Sequence, residues 1–138
     1  MFQSKLAQIK LPSITTDLSI IIVSYKRLDC LRKCIQSIID TVKKIRYEII
    51  IVDNHSADGT PEVICREFPS LRMIENTQNL GFAKGNNQGI RVSRGEFILL
   101  LNNDTEVQPA ILNSFIKAVE NYGKHNIYGA KIFYHKNP

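Results

Sequence analysis

Three residues with oxygen-bearing side chains, Asn102, Asn103 and Asp104, directly follow a run of apolar residues. One carboxylate and two amides in a tight turn offer the hard oxygen ligands that Mg²⁺ and Mn²⁺ prefer. A single carboxylate binds a divalent ion weakly, so the phosphates of a bound substrate would have to supply further ligands. We therefore expect Asp104 to hold a divalent metal, Mn²⁺ or Mg²⁺, jointly with a diphosphate.

Two other apolar runs also end in polar side chains. Residues 47–52 lead into Asp53, and the run that begins at Leu18 ends at Ser24 and Tyr25. An Asp after a strand is often only a turn residue, because its side chain bonds nearby backbone amides. Here Asp53 and Asp104 occupy equivalent places, and each is flanked by further short polar residues. This recurrence favours a ligand site over two unrelated turns.

Strand-like and helix-like segments alternate along the chain. Short runs rich in Ile, Val and Leu predict strands at residues 18–24, 47–52, 71–75, 96–101 and 127–134. Apolar spacings of three and four predict helices that begin at Leu28, at Thr60 as N-cap with Pro61 in the first position, over residues 82–92, and at Gln108 with Pro109 in the first turn. Gly123 is the expected stop of the last helix.

This alternation predicts an α/β fold with a mostly parallel sheet and helices on both faces. The carboxyl ends of such strands form the edge where open α/β sheets bind ligands, and all three polar clusters fall there. Residues 1–17 are interpreted as an N-terminal extension and residues 18–138 as one domain, with no internal linker or repeat.

Composition narrows the classes of protein further. The 18 Lys and Arg against 13 Asp and Glu give a net charge of +5, which suits anionic partners, but the basic residues are scattered, so we expect no nucleic-acid binding. Three cysteines, an odd number, indicate a reducing, cytoplasmic compartment, and none has the neighbours of a zinc site. No apolar stretch is long enough to span a bilayer, so we expect any membrane association to be peripheral.

Four segments together resemble the family-2 glycosyltransferases, which have the GT-A fold. They read IIIVSY at 20–25, IIVDNHSADGT at 50–60, NLGFAKGNNQG at 79–89 and LLLNNDT at 99–105, in the family's order. The third segment is most similar to the bacterial branch that includes rhamnosyltransferases of surface polysaccharides. The resemblance covers about residues 18–133.

The resemblance implies roles for individual residues. Ser24 and Tyr25 would border the nucleotide base, and Asp53 would accept hydrogen bonds from the imide of the base. Asn103 would face the ribose, and Asp104 would hold the metal that neutralises the diphosphate leaving group. The segment from Lys84 through Gly85 and Asn86 to Asn87 would lie along the nucleotide sugar.

The resemblance implies an inverting transferase that moves a sugar from a UDP- or dTDP-linked donor to a saccharide or lipid-linked acceptor in bacterial surface polysaccharide synthesis, at the inner face of the membrane. In the family, a carboxylate in a later segment is the general base, so we expect the base beyond Pro138 and expect these 138 residues alone to be inactive. The metal motif departs from the family's two aspartates by having Asn102 and Asn103 before Asp104.

Alternatives to a transferase remain at this point. A non-catalytic nucleotide-sugar-binding module would keep Asp53 and Asp104 without a base. A phosphoacceptor domain would need an acidic pair after the first strand, where Ser24 and Tyr25 stand, and a dinucleotide fold would need a G-x-G-x-x-G turn that is missing there. An uncovered sheet edge after residue 134 would favour a homodimer or aggregation.

Overall fold

A computed structural model describes residues 16–43 and 45–130 of the chain. Four strands alternate with four helices in this part, as the sequence predicts. The elements are, in chain order, β1 (Thr16–Ser24), α1 (Leu28–Thr41), β2 (Tyr47–Asp53), α2 (Thr60–Glu67), β3 (Arg72–Glu75), α3 (Phe82–Val92), β4 (Gly95–Asn102) and α4 (Ile111–Tyr122).

The four described strands form one parallel sheet in the order β3-β2-β1-β4. β1 is central and pairs with β2 from Leu18 opposite Tyr47 through Ser24 opposite Asp53. Its other neighbour is β4, with Val23 opposite Asn102. This register confirms the α/β prediction and brings the ends of the three apolar runs to the same edge of the sheet, which is the edge where open α/β sheets bind ligands.

Helices cover both faces of the sheet. On one face, the apolar stripe of α1 packs on β1 and β2 together with residues of α2, and the first turn of α4 contributes half-buried side chains. On the other face, Ile21 and Val23 of β1 and Ile50 and Val52 of β2 form a smaller cluster with Val92 of α3. Burial of β1 and β2 on both sides explains why their sequences are nearly continuous apolar runs.

Several predicted boundaries shift in the structure. β1 begins at Thr16, two residues before the domain boundary that we predict at Leu18, and residues 1–15 lie outside the described residues. Thr60 is the first residue of α2, and the N-cap is Gly59 with φ of 81°. The prediction of Thr60 as N-cap is therefore wrong by one position, because Gly59 alone of the two accepts a left-handed backbone without a steric penalty.

The C-terminal third departs most from prediction. The helix predicted from Gln108 begins at Ile111, after a turn in which the Ile111 N–H donates to the Gln108 carbonyl at 3.1 Å. It ends at Tyr122, with Gly123 as the C-cap, as expected. Residues 127–130 form no strand, and the rest of the strand predicted at 127–134 lies outside the described residues.

None of the four helices in the described part of the chain combines the length and hydrophobicity that crossing a membrane requires.

Candidate functional site

A polar cleft of about 380 Å³ opens at the carboxyl ends of β1 and β4. The strand order reverses at β1, because the chain runs outward through β2 and β3 and then returns to β4 on the opposite side. Such a reversal leaves a crevice between the loops that follow the two strands. The cleft is lined by Val23, Ser24, Tyr25, Asn54, Asn79, Gly81, Phe82, Asn102, Asn103 and Asp104.

Ser24 and Asn103 join the two loops that flank the cleft. The Asn103 amide Nδ2 donates to the hydroxyl of Ser24 at 3.3 Å, and Ser24 is fully buried. Asp104 follows at the exposed turn after β4, and its carboxylate has no hydrogen bond or ion pair to another side chain in the described residues. The Asp104 carboxylate is therefore available to a ligand.

Two aromatic rings line the cleft and are accessible to solvent. Tyr25 is 45% exposed, and the ammonium group of Lys26 lies 5.2 Å from the centre of its ring. Phe82, the first residue of α3, is 55% exposed. Exposed aromatic faces beside polar groups suit a ligand with both a planar ring and charged or hydroxyl groups.

Asp53 lies beside the main cleft and outside its lining. The residue is 3% exposed, and its carboxylate accepts two hydrogen bonds from Ser56: from the backbone N–H to Oδ2 at 2.8 Å and from the hydroxyl to Oδ1. Asp53 lines a neighbouring cavity of about 320 Å³ with His55, Glu75 and Asn76 rather than the main cleft. A carboxylate retains further lone pairs, so the imide contact stays a prediction.

Helix α3 approaches the sheet closely through its glycines. A Cβ at Gly85 would lie 2.9 Å from Cγ1 of Val23, so only glycine allows this packing. Asn86 is 4% exposed, its Nδ2 donates to the Phe82 carbonyl at 3.1 Å, and its Oδ1 has no partner in the described part of the chain. A buried amide oxygen without a donor fits a water or ligand donor. Lys84 is exposed and lines neither cavity, so its predicted contact with the donor stays a prediction.

A chain of amide groups supports the wall of the cleft. Gln88 and Asn76 exchange two hydrogen bonds, of 2.7 and 2.9 Å, and Asn76 also donates to Asn54 Oδ1 at 2.9 Å. Asn54 in turn donates to the Gly81 carbonyl at 3.2 Å. The loop before α3 is thereby tied to the end of β2.

Sequence reasoning did not assign Asn54, Asn79 or Phe82 to the site. Asn54 directly follows Asp53, and its place at a strand end is the signal that could have identified it. Asn79 and Phe82 flank Gly81, whose φ of 80° turns the chain into α3. A glycine at the start of a helix beside a predicted ligand edge is the corresponding signal for these two residues.

The donor set at the cleft fits a divalent ion only with help from a ligand. No three His, Cys, Asp or Glu side chains within residues 16–43 and 45–130 come together as a metal site. Asp104 is the one carboxylate among the residues that line the cleft, with the amide oxygens of Asn102 and Asn103 next to it in sequence. Diphosphate oxygens would complete such a site, as in other magnesium sites shared with a substrate.

The parallel sheet, the helices on both faces and the cleft at a strand reversal define an open α/β domain, and its fold is shared by solved glycosyltransferases of the GT-A type. Residues 19–138 match the model of glycosyl transferase family 2, and the chain belongs to that family. Among curated relatives, the succinoglycan biosynthesis protein ExoO of Rhizobium meliloti (strain 1021) is 29% identical over 108 residues, which is 78% of this chain and 31% of the relative.

Solved structures agree on the fold. TarS 1-349 of S. aureus in complex with UDP-GlcNAc superposes with a TM-score of 0.67 at 20% identity, over 77% of this chain and 32% of that chain. The mannosyltransferase PcManGT of Pyrobaculum calidifontis in complex with GDP-Man and Mn²⁺ gives 0.66 at 22% identity, over 80% and 36%. The chain spans about a third of the length of these proteins and of ExoO.

Proposed function

We propose that this chain is the donor-binding part of an inverting glycosyltransferase that uses a UDP- or dTDP-linked sugar. The observation that carries the proposal is the cleft between β1 and β4, where an exposed Asp104 carboxylate adjoins Asn103 and Ser24 in a chain of family 2. The cleft offers an aromatic face, amides and a carboxylate, which are complementary to a base, a ribose and a metal-bound diphosphate respectively.

In this proposal Ser24 and Tyr25 border the base and Asn103 faces the ribose. Asp53 contacts the imide of the base from the adjoining cavity. Asp104 holds Mn²⁺ or Mg²⁺, which would neutralise the charge that develops on the diphosphate leaving group.

The remaining predicted contacts lie on α3. Gly85 lets the helix backbone approach the end of β1, and the unpartnered Oδ1 of Asn86 accepts a hydrogen bond from the bound donor. In this proposal the exposed side chain of Lys84 contacts the nucleotide sugar.

The acceptor in this proposal is a saccharide or lipid-linked saccharide, and the process is bacterial surface polysaccharide synthesis at the cytoplasmic face of the membrane. Similarity to a protein named for succinoglycan biosynthesis supports this assignment. The rhamnosyltransferase-like branch is part of the same proposal and is carried by the sequence of residues 79–89.

A non-catalytic nucleotide-sugar-binding module is the second candidate. Asp104 is the sole carboxylate in the lining of the cleft, and the proposed metal already uses it, so the described residues present no second carboxylate there as a general base. A cleft with a single carboxylate favours binding of the nucleotide sugar without transfer of the sugar to an acceptor.

Calorimetric titration of UDP and dTDP into the chain, with Mn²⁺ or with a chelator, tests donor binding. We expect metal-dependent binding that Asp104→Ala abolishes and that Asp40→Ala, which removes an exposed carboxylate of α1 outside the cleft, leaves unchanged. Binding that is equally strong with and without metal would contradict the role of Asp104. Absence of binding to either nucleotide would refute the proposal.

Incubation of the chain with a radiolabelled UDP-sugar and a lipid-linked acceptor separates the two candidates. Metal-dependent binding without release of UDP supports the module, and transfer of label to the acceptor rules the module out.

A further inference from the structure

The loops that follow β1 and β2 hold an unusual backbone conformation. In the described part of the chain, four residues other than glycine have positive φ: Lys26 at 59°, Arg27 at 60°, His55 at 66° and Ala57 at 51°. All four lie in these two loops. Residues with a Cβ adopt this conformation at a cost and persist in it only where surrounding contacts enforce it. The loops therefore need a specific restraint.

Ser56 supplies contacts to both loops. Its side chain is almost fully buried, with 1% exposed, and its hydroxyl accepts a hydrogen bond from the Lys26 N–H at 2.7 Å. The same hydroxyl donates to Asp53 Oδ1, and the Ser56 N–H donates to Asp53 Oδ2 at 2.8 Å. Because the hydroxyl proton points to Asp53 Oδ1, a lone pair of Ser56 Oγ is left to face the Lys26 N–H.

The hydrogen bond to Lys26 acts on a residue that adjoins the cleft. Lys26 directly follows Tyr25, whose exposed ring lines the cleft, and precedes the left-handed Arg27 that opens α1. Closer to the sheet, the two loops share one backbone hydrogen bond, from the Asn54 N–H to the Ser24 carbonyl at 2.8 Å. Farther from the sheet, the two loops are connected by the hydrogen bond from the Lys26 N–H to the Ser56 hydroxyl.

We propose that Ser56 is a positioning residue for the nucleoside: its hydroxyl, which donates to the Asp53 carboxylate, accepts from the Lys26 N–H and so fixes the backbone that aims Tyr25 into the cleft. The inference rests on the proposed function, because Tyr25 must contact the base of a bound nucleotide. It also gives Asp53 a role that acts through Ser56, whether or not the carboxylate touches the base.

Ser19 provides a matched control on the same strand as Ser24. It is fully buried, its hydroxyl donates to Glu48 Oε1 at 2.7 Å, and it accepts from the Gly95 N–H at 2.8 Å. Ser19 thus combines a carboxylate acceptor and a backbone donor as Ser56 does, but it lies near the opposite end of β1 from the cleft.

The test is the Kd of UDP in the presence of Mn²⁺ for the wild-type chain, Ser56→Ala and Ser19→Ala, measured by calorimetry with urea unfolding alongside. We expect Ser56→Ala to raise the Kd about tenfold, the scale of one lost hydrogen bond, and Ser19→Ala to leave it unchanged. Both variants should lower the urea midpoint. A merely structural loss would reduce the number of binding sites per chain without changing the Kd of the folded fraction.

Two further variants keep the test decisive if Ser56→Ala folds poorly. Thr and Val have nearly the same shape, and only Thr has a hydroxyl, so Ser56→Thr should bind UDP about tenfold more tightly than Ser56→Val. Wild-type binding with equal Kd values across the Ser56 variants would overturn this inference and leave the proposed function standing. No binding of UDP or dTDP by the wild-type chain would refute both.

Discussion

Gly89 of α3 lies so close to Ile21 of β1 that a Cβ on the glycine would be 2.4 Å from Cγ2 of the isoleucine. Ile21 is fully buried in the smaller core cluster, where neighbouring side chains pack around it. The helix that borders the cleft is therefore seated directly on the central strand, and its distance from the sheet is set by the absence of a side chain.

Gly89→Ala is expected to lower the free energy of unfolding by about 1–3 kcal/mol, because the added methyl group overpacks the contact with Ile21. Urea denaturation followed by circular dichroism measures the change. Gly129→Ala is the control, since a Cβ at Gly129 would meet nothing within 4 Å. Equal midpoints for Gly89→Ala and the wild type would show that α3 is not fixed at this distance.

Glu48 should make stability depend on pH in the acid range. Burial raises the pKa of this carboxyl, but hydrogen bonds from Ser19, Arg72 and the Arg94 N–H outweigh burial and hold the pKa below its ordinary value. A carboxyl with a lowered pKa in the folded state adds stability at neutral pH, and that stability disappears as the pH falls through the lowered pKa.

Glu48→Gln should therefore be less stable than the wild type at pH 7, and the difference should shrink as the pH is lowered to about 3. Urea midpoints at both pH values test this expectation. Glu120→Gln, which alters an exposed carboxyl of α4, should show no such dependence. A constant gap between Glu48→Gln and the wild type would argue against the ionised form as the stabilising one.

The amide chain that supports the cleft should contribute to stability through Asn76. Asn54 is a buried residue, 2% exposed, and Asn76→Ala leaves its Oδ1 without a hydrogen-bond donor. The same substitution removes both hydrogen bonds to Gln88. We expect a loss of about 1–3 kcal/mol in the free energy of unfolding. Asn121→Ala on the exposed side of α4 serves as the reference. A loss no greater than that of the reference would mean that water replaces the lost amide.

Exposed apolar residues on β4 should drive self-association. In the described residues β4 is an outer strand, and Ile98 and Leu100 are 42% and 44% exposed. Leu100→Lys should reduce the fraction of dimer or larger species in sedimentation at high concentration, because a charge resists burial in a contact. Asn113→Lys adds the same charge on α4 and should have no effect. A monomeric wild type at all concentrations would contradict the expectation of a homodimer.

The order of the elements follows from the sequence because strand and helix periods differ clearly in the first hundred residues. The run at residues 96–101 predicts the strand correctly, but its five consecutive apolar residues do not reveal that alternate side chains of this outer strand meet solvent. The prediction that α4 starts at Gln108 is wrong because Pro109 is compatible with a turn as well as with the first turn of a helix.

The candidate site was predictable to the level of strand ends and no further. Ser24, Tyr25, Asn103 and Asp104 lie in one cleft because parallel strands in register must bring their carboxyl ends together. The hydrogen bonds from Ser56 to the Asp53 carboxylate depend on the positive φ angles of His55 and Ala57 in the loop after β2, and residue types do not determine those angles.

The central place of β1 has a consequence for how the chain folds during synthesis. One edge of β1 pairs with β2, which follows about 30 positions later in the chain. The other edge of β1 pairs with β4, where Thr16 lies opposite Gly95, 79 positions later. A ribosome that adds about 5–20 residues per second leaves that edge open for several seconds. β1, β2 and β3 with their helices should therefore assemble first and offer the open edge of β1 as the template on which β4, and with it the Asp104 loop, is added last.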